Sequence, residues 1–404
     1  MRDGTEKHSV MKVLIYTHEF PPFQGGLATT SYKIASGFAE AGIDTTVLAP
    51  RYSEEDAPAD GNLDFTVRRM GALTRNHGAP SPIKEIAGWI SLLRYLSSDT
   101  PDAVLLVTRE AHFAGGLSPL DPRKYRIVAR VAGREANKFL LGRRLKNRAQ
   151  AWFMNRLYKR AHKIIGPSES TRQLFIESGI PGSKVGVIHN GTPMELILRE
   201  ADHAAVGRLR DKYGLGPSEK MILTVSRLTR GKGQDKVIEA LSLVREKYGN
   251  FKYVITGEGR YEKPLRELVA SRGLRDKVVF AGSVPHEDVW TFYDACDVFA
   301  MVNRTIPSEE NIEGLPNVLI EAASRGKPIV TGVDGGGREA VEHGSSGYVT
   351  DGNNVRGIAQ YLLDLLSDED KSREFGTRGK QKMLEEFTEE GMIERYLEVI
   401  GHRA

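Results

Sequence analysis

The sequence predicts an α/β protein built as two doubly wound, Rossmann-like parallel-sheet domains. Three observations carry that reading. Short aliphatic runs alternate with amphipathic stretches along all 404 residues. The runs are apolar throughout, as in parallel strands covered by helices on both faces. The alternation breaks once, near residues 190–215, and then restarts.

In the first half, Lys12–Tyr16 reads as a buried strand and Leu27–Ala41 as a helix of period 3.6. Thr45–Ala49, Ala103–Val107, Arg126–Val131, Lys163–Gly166 and Val185–Ile188 continue the strand series. The turn Asn190-Gly191-Thr192-Pro193 closes it. In the second half, strands are expected at Met221–Val225, Lys252–Thr256, Lys277–Ala281, Asp297–Met301, Pro328–Thr331 and Gly347–Thr350. Helices are expected at Gln234–Glu246, Pro264–Ser271, Asn317–Arg325, Val355–Leu366, Ser372–Glu386 and Thr388–Ile400. The expected domains are residues 1–200 and 201–386, with 387–404 a terminal helix packing back on the first. Open sheets of this kind bind ligands outside the carboxyl ends of their strands. Two such sheets facing each other would define a cleft.

Composition narrows the class. Hydrophobic residues are 40% and charged residues 27%, which excludes disordered and fibrous chains. Cys296 is the one cysteine, so no internal disulfide or cysteine-based zinc site is expected, and a reducing compartment is. The opening residues are polar, without the apolar core of a signal peptide. The longest apolar runs, such as Ile86–Leu93, reach about half the ~18 residues that a membrane span needs.

Four strand-to-helix loops carry candidate chemistry. In Glu313-Gly-Leu-Pro-Asn-Val-Leu-Ile-Glu321, Pro316 is tolerated only in a first helical turn, so the helix starts near Pro316–Asn317. Its free N–H groups suit a phosphate. Glu313 and Glu321 would repel an anion, so hydroxyls on either side suit them better; a dipole-favouring acid and a surface Glu are the plain alternative. In Ser226-Arg227-Leu-Thr-Arg-Gly-Lys232-Gly233, Arg227 and Lys232 can converge on a diphosphate, or simply form a solvated basic loop. His18-Glu-Phe-Pro-Pro-Phe-Gln-Gly25-Gly26 offers close backbone approach to a ligand, or only a tight turn. Gly335-Gly336-Gly337-Arg338-Glu339 is a phosphate nest or another tight turn. No GxGxxG, Walker, HExxH or GxSxG motif occurs, which argues against dinucleotide oxidoreductases, P-loop NTPases, zincins and serine hydrolases. Asp368-Glu369-Asp370 reads as a helix start with Ser367 or Asp368 as N-cap, not as a metal motif.

In these residues the chain resembles the family-four retaining glycosyltransferases (glycosyl transferases group one), which have the GT-B architecture. Six ordered features carry the resemblance: the PPxxGG loop, Asn190-Gly191, Arg227-x(4)-Lys232, Gly257-Glu-Gly259, Glu313-x(7)-Glu321 before Gly326-Lys-Pro328, and Gly335-Gly336-x-x-Glu339. The resemblance implies an acceptor-binding first domain and a nucleotide-sugar-binding second one. It implies that Arg227 and Lys232 neutralise the donor diphosphate and its leaving group. Glu313 would hold the donor sugar and Glu321 the ribose. Leu315, Pro316, Asn317 and Val318 would offer backbone donors, Gly282 and Val284 would line the base, and Gly25 and Gly26 would approach the donor phosphates. It further implies a retaining hexosyltransferase fed by a UDP- or GDP-sugar, with no metal and no other cofactor. One departure stands out. The family often has a histidine where this chain reads Ala132, within Val131-Ala-Gly-Arg134-Glu135. His112 is the nearby candidate for that role, with Arg134 and Glu135 beside the transferred sugar.

The net charge of +4 hides an uneven distribution. Residues Arg123–Lys163 carry +13, leaving −9 on the rest. Leu145, Ala149, Trp152, Phe153 and Leu157 recur there at helical spacing among basic residues. This is either a core-facing helix with a solvated basic side or a patch for an anionic membrane. No nucleic-acid module accompanies the charge. The expected function is sugar transfer to a saccharide or lipid-linked acceptor in cell-surface polysaccharide, lipopolysaccharide or glycolipid synthesis. The expected place is the cytoplasm, peripheral to the inner face of its membrane. The alternatives are a catalytically silent GT-B sugar-binding or regulatory protein, and a GT-B nucleotide-sugar epimerase.

Overall fold

Two all-parallel sheets organise the chain, each within its own compact unit. The computed structural model describes residues 10–23, 25–52, 60–70, 82–133, 148–306 and 313–402. The first unit comprises residues 1–166, 172–188 and 392–404; the second comprises 167–171 and 189–391. The border anticipated at residue 200 therefore lies at 188/189, directly before the Asn190-Gly191 turn, and the last helix changes units at 391/392.

The first sheet has seven strands: β1 (Lys12–Tyr16), β2 (Asp44–Pro50), β3 (Thr66–Met70), β4 (Ala103–Leu106), β5 (Arg126–Arg130), β6 (Lys163–Gly166) and β7 (Val185–Val187), in spatial order β3-β2-β1-β4-β5-β6-β7. Successive side chains of a strand point to opposite faces. Val13 and Ile15 accordingly pack with Ile34 and Phe38 of helix α1 (Gly26–Glu40). Leu14 and Tyr16 pack on the other face, with Leu92 of α2 (Pro82–Ser98) and Ala111 and Ala114 of α3 (Arg109–Leu117). Leu157 and Tyr158 of α4 (Arg148–Arg160) join that second layer. Each such fully buried large side chain is worth roughly 1.5–3 kcal/mol. β3 has no counterpart in the sequence reading. It is an edge strand, TVRRM, whose exposed polar positions mask its period.

The first unit is completed by α5 (Glu169–Glu177), of which residues 172–177 belong to it, and by the end of the last helix, Glu389–Ile400. Met392, Tyr396 and Ile400 enter the same core as Val13 and Phe38. A Cβ at Gly37 of α1 would collide with Ile393, so glycine permits that close helix contact.

The second sheet has six strands: β8 (Lys220–Val225), β9 (Phe251–Thr256), β10 (Val278–Gly282), β11 (Val298–Met301), β12 (Ile329–Gly332) and β13 (Gly347–Thr350), ordered β10-β9-β8-β11-β12-β13. Met221 and Leu223 face one core and Ile222 the other, the same alternation as in the first sheet. The helix Glu369–Glu386 is capped by Asp368, whose carboxylate accepts from Lys371 N, as its sequence position suggested. Among the described residues no helix is long and apolar enough to cross a membrane.

Candidate functional site

The loop leaving β8 is held mainly by backbone. Gly257 has φ +110°, and a Cβ there would collide with the Ser226 carbonyl; one at Gly259 would collide with the Leu228 carbonyl. Leu228 N donates to Glu258 O (2.9 Å). The Gly-x-Gly turn is thus a clasp over the residues flanking Arg227. At the far end, Gly233 has φ +79° and sits against the Val302 carbonyl, and Arg304 N donates to Gly231 O (2.9 Å). One buried side-chain pair supports this clasp: Arg304 forks onto Asp235 at 3.0 and 2.7 Å. Lys232 and Arg227 are therefore presented on a fixed loop. Arg227 is exposed and makes no ion pair with any described residue. Lys232 Nζ lies 2.7 Å from Glu313 Oε2.

Glu313 is fixed from the opposite side. Gly335, at φ +75°, packs its α-carbon on the Glu313 carbonyl, and Gly336 N donates to Gly314 O. Pro316 then serves as N-cap of the helix Asn317–Ser324, without a side-chain cap. The helix starts where the sequence placed it, with Leu315 and Pro316 buried and Val318 partly so. Its leading N–H groups have no side-chain cap, an anion-favouring arrangement. Asn317 uses its side-chain oxygen to accept from Asn190 Nδ2 (2.5 Å).

Glu321 lies one turn further on. It accepts from Tyr293 Oη at 2.7 Å, and His286 Nε2 stands 3.7 Å from its other oxygen. Burial first, and the Glu321 carboxylate second, push the Tyr293 hydroxyl far above its usual value, so it stays a donor. Sequence reasoning missed Tyr293, because a tyrosine on the core face of a helix carries no motif. Gly282 has φ +74° and open space at its Cβ position.

Glu339 takes a structural role. Its carboxylate accepts from Glu169 N at 2.9 and 2.8 Å, which caps the start of α5, and from His189 Nε2 at 3.1 Å. Burial opposes its charge, but those hydrogen bonds hold its carboxyl below the ordinary range.

In the first unit, Gly25 and Gly26 open α1 at the end of the loop after β1. Gly25 is extended at φ 174°, and a Cβ would meet the Phe23 ring at 2.9 Å and Glu19 Oε2 at 3.5 Å. His112 is a correction. It is fully buried, with Nε2 3.0 Å from the Leu106 carbonyl and Nδ1 3.1 Å from Tyr158 Oη. Its position on α3 turns the ring into the core, where it joins helix to strand. Arg134 and Glu135 lie outside the described residues, as do residues 136–147 of the basic segment.

Part of that basic charge is structural. Arg160 donates to the carbonyls of Gly115, Gly116, Ser118 and Leu120, closing the end of α3. Arg130 is buried, and Arg126 donates to Val399 O. Arg156 and Lys159 are exposed and share a face of α4 with Trp152, which is 61% exposed.

Comparison with known proteins places the chain among glycosyltransferases. A family model described as Glycosyltransferase Family 4 matches residues 24–196, and one described as Glycosyl transferases group 1 matches residues 206–382. A GDP-mannose-dependent alpha-(1-6)-phosphatidylinositol monomannoside mannosyltransferase of Mycobacterium tuberculosis is 28% identical over 379 residues, 92% of this chain and 93% of that one. The amylovoran biosynthesis glycosyltransferase AmsK of Erwinia amylovora is 30% identical over 217 residues, 53% of this chain and 50% of that one. Anabaena HepE, crystallised with UDP and glucose, shares the fold at TM-score 0.78 and 20% identity, over 97% of this chain and 100% of that one.

Proposed function

Because this chain belongs to the family-four glycosyltransferases and has their GT-B fold, we propose that it transfers a hexose from a nucleotide sugar to a saccharide or lipid-linked acceptor, with retention and without a metal ion. The observation that carries this reading is the 2.7 Å contact of Lys232 with Glu313 beside the uncapped start of the helix Asn317–Ser324. A cation from the loop after β8 meets a carboxylate that stands just before an anion-favouring helix start. An arriving diphosphate competes for Lys232, which frees Glu313 to accept from sugar hydroxyls. The anomeric C–O bond breaks with its electron pair on the diphosphate oxygen. Arg227, Lys232 and the helix N–H groups stabilise that charge. The acceptor hydroxyl bonds to the anomeric carbon, and its proton passes to the departing oxygen. Glu321, oriented by Tyr293, accepts from the ribose. Gly282 and Val284 border the base.

GDP-mannose is the first donor to test, since it is named for relatives that span most of this chain. The acceptor reading is a glycolipid, reached through the exposed Trp152, Arg156 and Lys159 at the inner face of the cytoplasmic membrane. The test is a thermal-shift panel of nucleoside diphosphates, followed by nucleotide release from GDP-mannose and UDP-glucose with and without chelator. Binding at 100 times Kd adds about 2.7 kcal/mol of stability. A protein stabilised by no nucleoside diphosphate, and cleaving no nucleotide sugar, does not fit the proposal. Sedimentation with anionic against neutral vesicles tests the membrane reading, which fails if binding ignores lipid charge and salt.

A further inference from the structure

The first sheet holds a second cluster of titratable groups at its carboxyl edge, apart from the residues assigned above. His18 follows β1, and Glu110 stands in the first turn of α3, just past β4. β1 and β4 are hydrogen-bonded neighbours, so the two residues follow adjacent strands of the sheet. His18 is anchored at three points. Its N–H donates to Thr108 Oγ1 (3.0 Å), its carbonyl accepts from Tyr52 Oη (2.9 Å), and its ring Nε2 lies 2.9 Å from Tyr16 Oη. Helix α2 closes over this pair at Gly88, where a Cβ would collide with the Tyr16 hydroxyl and stand 3.0 Å from His18 Nε2.

Glu110 accepts from Arg109 through one oxygen, and Arg109 reaches Gln150 Oε1 at 3.2 Å. His18 Nδ1 and the second Glu110 oxygen have no partner in another described residue. Burial draws the imidazole down to about 4, against the pull of Glu110 and with the push of Arg109. Burial opposes charge on Glu110, but Arg109 and then His18 outweigh it, so its carboxyl lies below the ordinary range. At neutral pH a neutral imidazole therefore sits near a carboxylate. Neither matches a general base, whose pKa lies near the working pH. The carboxylate disfavours a phosphate. The Arg109 charge is already engaged. Hydroxyls remain, since each can donate to the carboxylate while accepting from or donating to the imidazole. β5, beside β4, continues into Ala132, whose methyl offers no polar side chain at that edge.

We propose that His18 and Glu110 form a sugar-hydroxyl site in the first unit, holding the hydroxyls of the acceptor saccharide. The site rests on the transfer reading above and adds to it the residues that would recognise the acceptor. It binds and orients a hydroxyl; it does not remove the proton.

The experiment uses the full chain with labelled histidine. The His18 imidazole signal, identified by its loss in His18→Gln, is followed while methyl α-mannopyranoside, myo-inositol or inorganic phosphate is added without nucleotide. The expected result is a saturable shift with at least one of the two polyols and none with phosphate, weakened at least tenfold in Glu110→Gln. Stabilisation of each variant by GDP or UDP serves as the check of folding. Should Glu110→Gln fail that check, Glu110→Asp replaces it, with the same tenfold loss expected. The site is overturned if neither polyol moves the His18 signal, if phosphate does, or if the folded Glu110 variant binds the polyol unchanged. Assignment to the acceptor is overturned if His18→Gln raises KM for the nucleotide sugar but not for the acceptor. Retained nucleotide binding and donor cleavage, with no polyol response, remove this site and leave the transfer reading standing. Loss of all nucleotide binding in the unmodified chain removes the transfer reading itself.

Discussion

The two sheets end in loops that are fixed by different means. In the second unit, the loops after β8 and before the helix Asn317–Ser324 are pinned chiefly by glycine α-carbons against carbonyl groups: Gly257 on Ser226, Gly259 on Leu228, Gly233 on Val302, Gly335 on Glu313. In the first unit, the loop after β1 is pinned by side chains from elsewhere in the unit. Tyr52 donates to His18 O, Thr108 accepts from His18 N, and Arg69 donates to Pro21 O at 2.8 Å while paired with Asp60. Backbone pinning leaves little room for variation, which suits the proposed placing of Arg227 and Lys232 on a diphosphate. Side-chain pinning can be altered one residue at a time.

The largest expected effect tests the chemical end of this contrast. Lys232→Ala removes a cation held on a rigid loop, and kcat should fall by about 10²–10³, or roughly 2.7–4 kcal/mol. The unfolding midpoint should stay within a few degrees of the parent. A variant with near-parental kcat breaks the assignment of that loop to the diphosphate.

A side-chain-built edge should also show in the pH dependence of stability. Above pH 6.5 His18 is neutral in both folded and unfolded chains. Between pH 6.5 and about 4 the unfolded chain takes up a proton that the folded one refuses. Stability therefore falls as pH drops through that window and levels off below it, by up to about 3 kcal/mol. Glu110 and Arg109 face the same ring, so the measurement is the difference between parent and His18→Gln in urea unfolding across pH 4–7. Parallel curves for the two proteins contradict a buried neutral His18.

Gly257→Ala comes next. It places a Cβ at φ +110° against the Ser226 carbonyl, and strain of this kind costs about 1–3 kcal/mol. Donor affinity should fall together with stability, because the displaced carbonyl adjoins Arg227. Loss of stability with unchanged nucleoside diphosphate binding would show that the clasp holds the fold and not the site.

The same contrast explains what could be read in advance. Gly257, Gly259, Gly335 and Pro316 mark conformations that few other residues allow, so the loops and the start of the helix after Pro316 were visible in the sequence. Asp368 was visible as an N-cap for a similar reason. Side-chain partners leave no such mark. Arg304 finds Asp235 from 69 positions away, and Tyr293 finds Glu321 across two helices. His112 was misassigned because its spacing after β4 gives no sign of whether its ring turns inward. The basic segment misled in part for the same reason, since Arg130 and Arg160 look like surface charge until their carbonyl or core surroundings are known. β3 escaped because an edge strand has little need of an apolar pattern.

The smallest expected effect separates the two designs most directly. Tyr52→Phe deletes one hydroxyl that donates to the His18 carbonyl and leaves every backbone torsion permitted. A single neutral hydrogen bond contributes about 0.5–1.5 kcal/mol net, so the loss of stability should be about 1 kcal/mol. Arg69, paired with Asp60 at 2.7 Å and bonded to Pro21 O, still holds the loop, so its path should persist. The His18 imidazole signal should shift without broadening, and nucleoside diphosphate binding should not change. A loss as large as that of Gly257→Ala would mean that the loop after β1 rests on one anchor and is as intolerant as the loops of the second unit. The contrast between them would then lie in their residues alone and not in their mechanics.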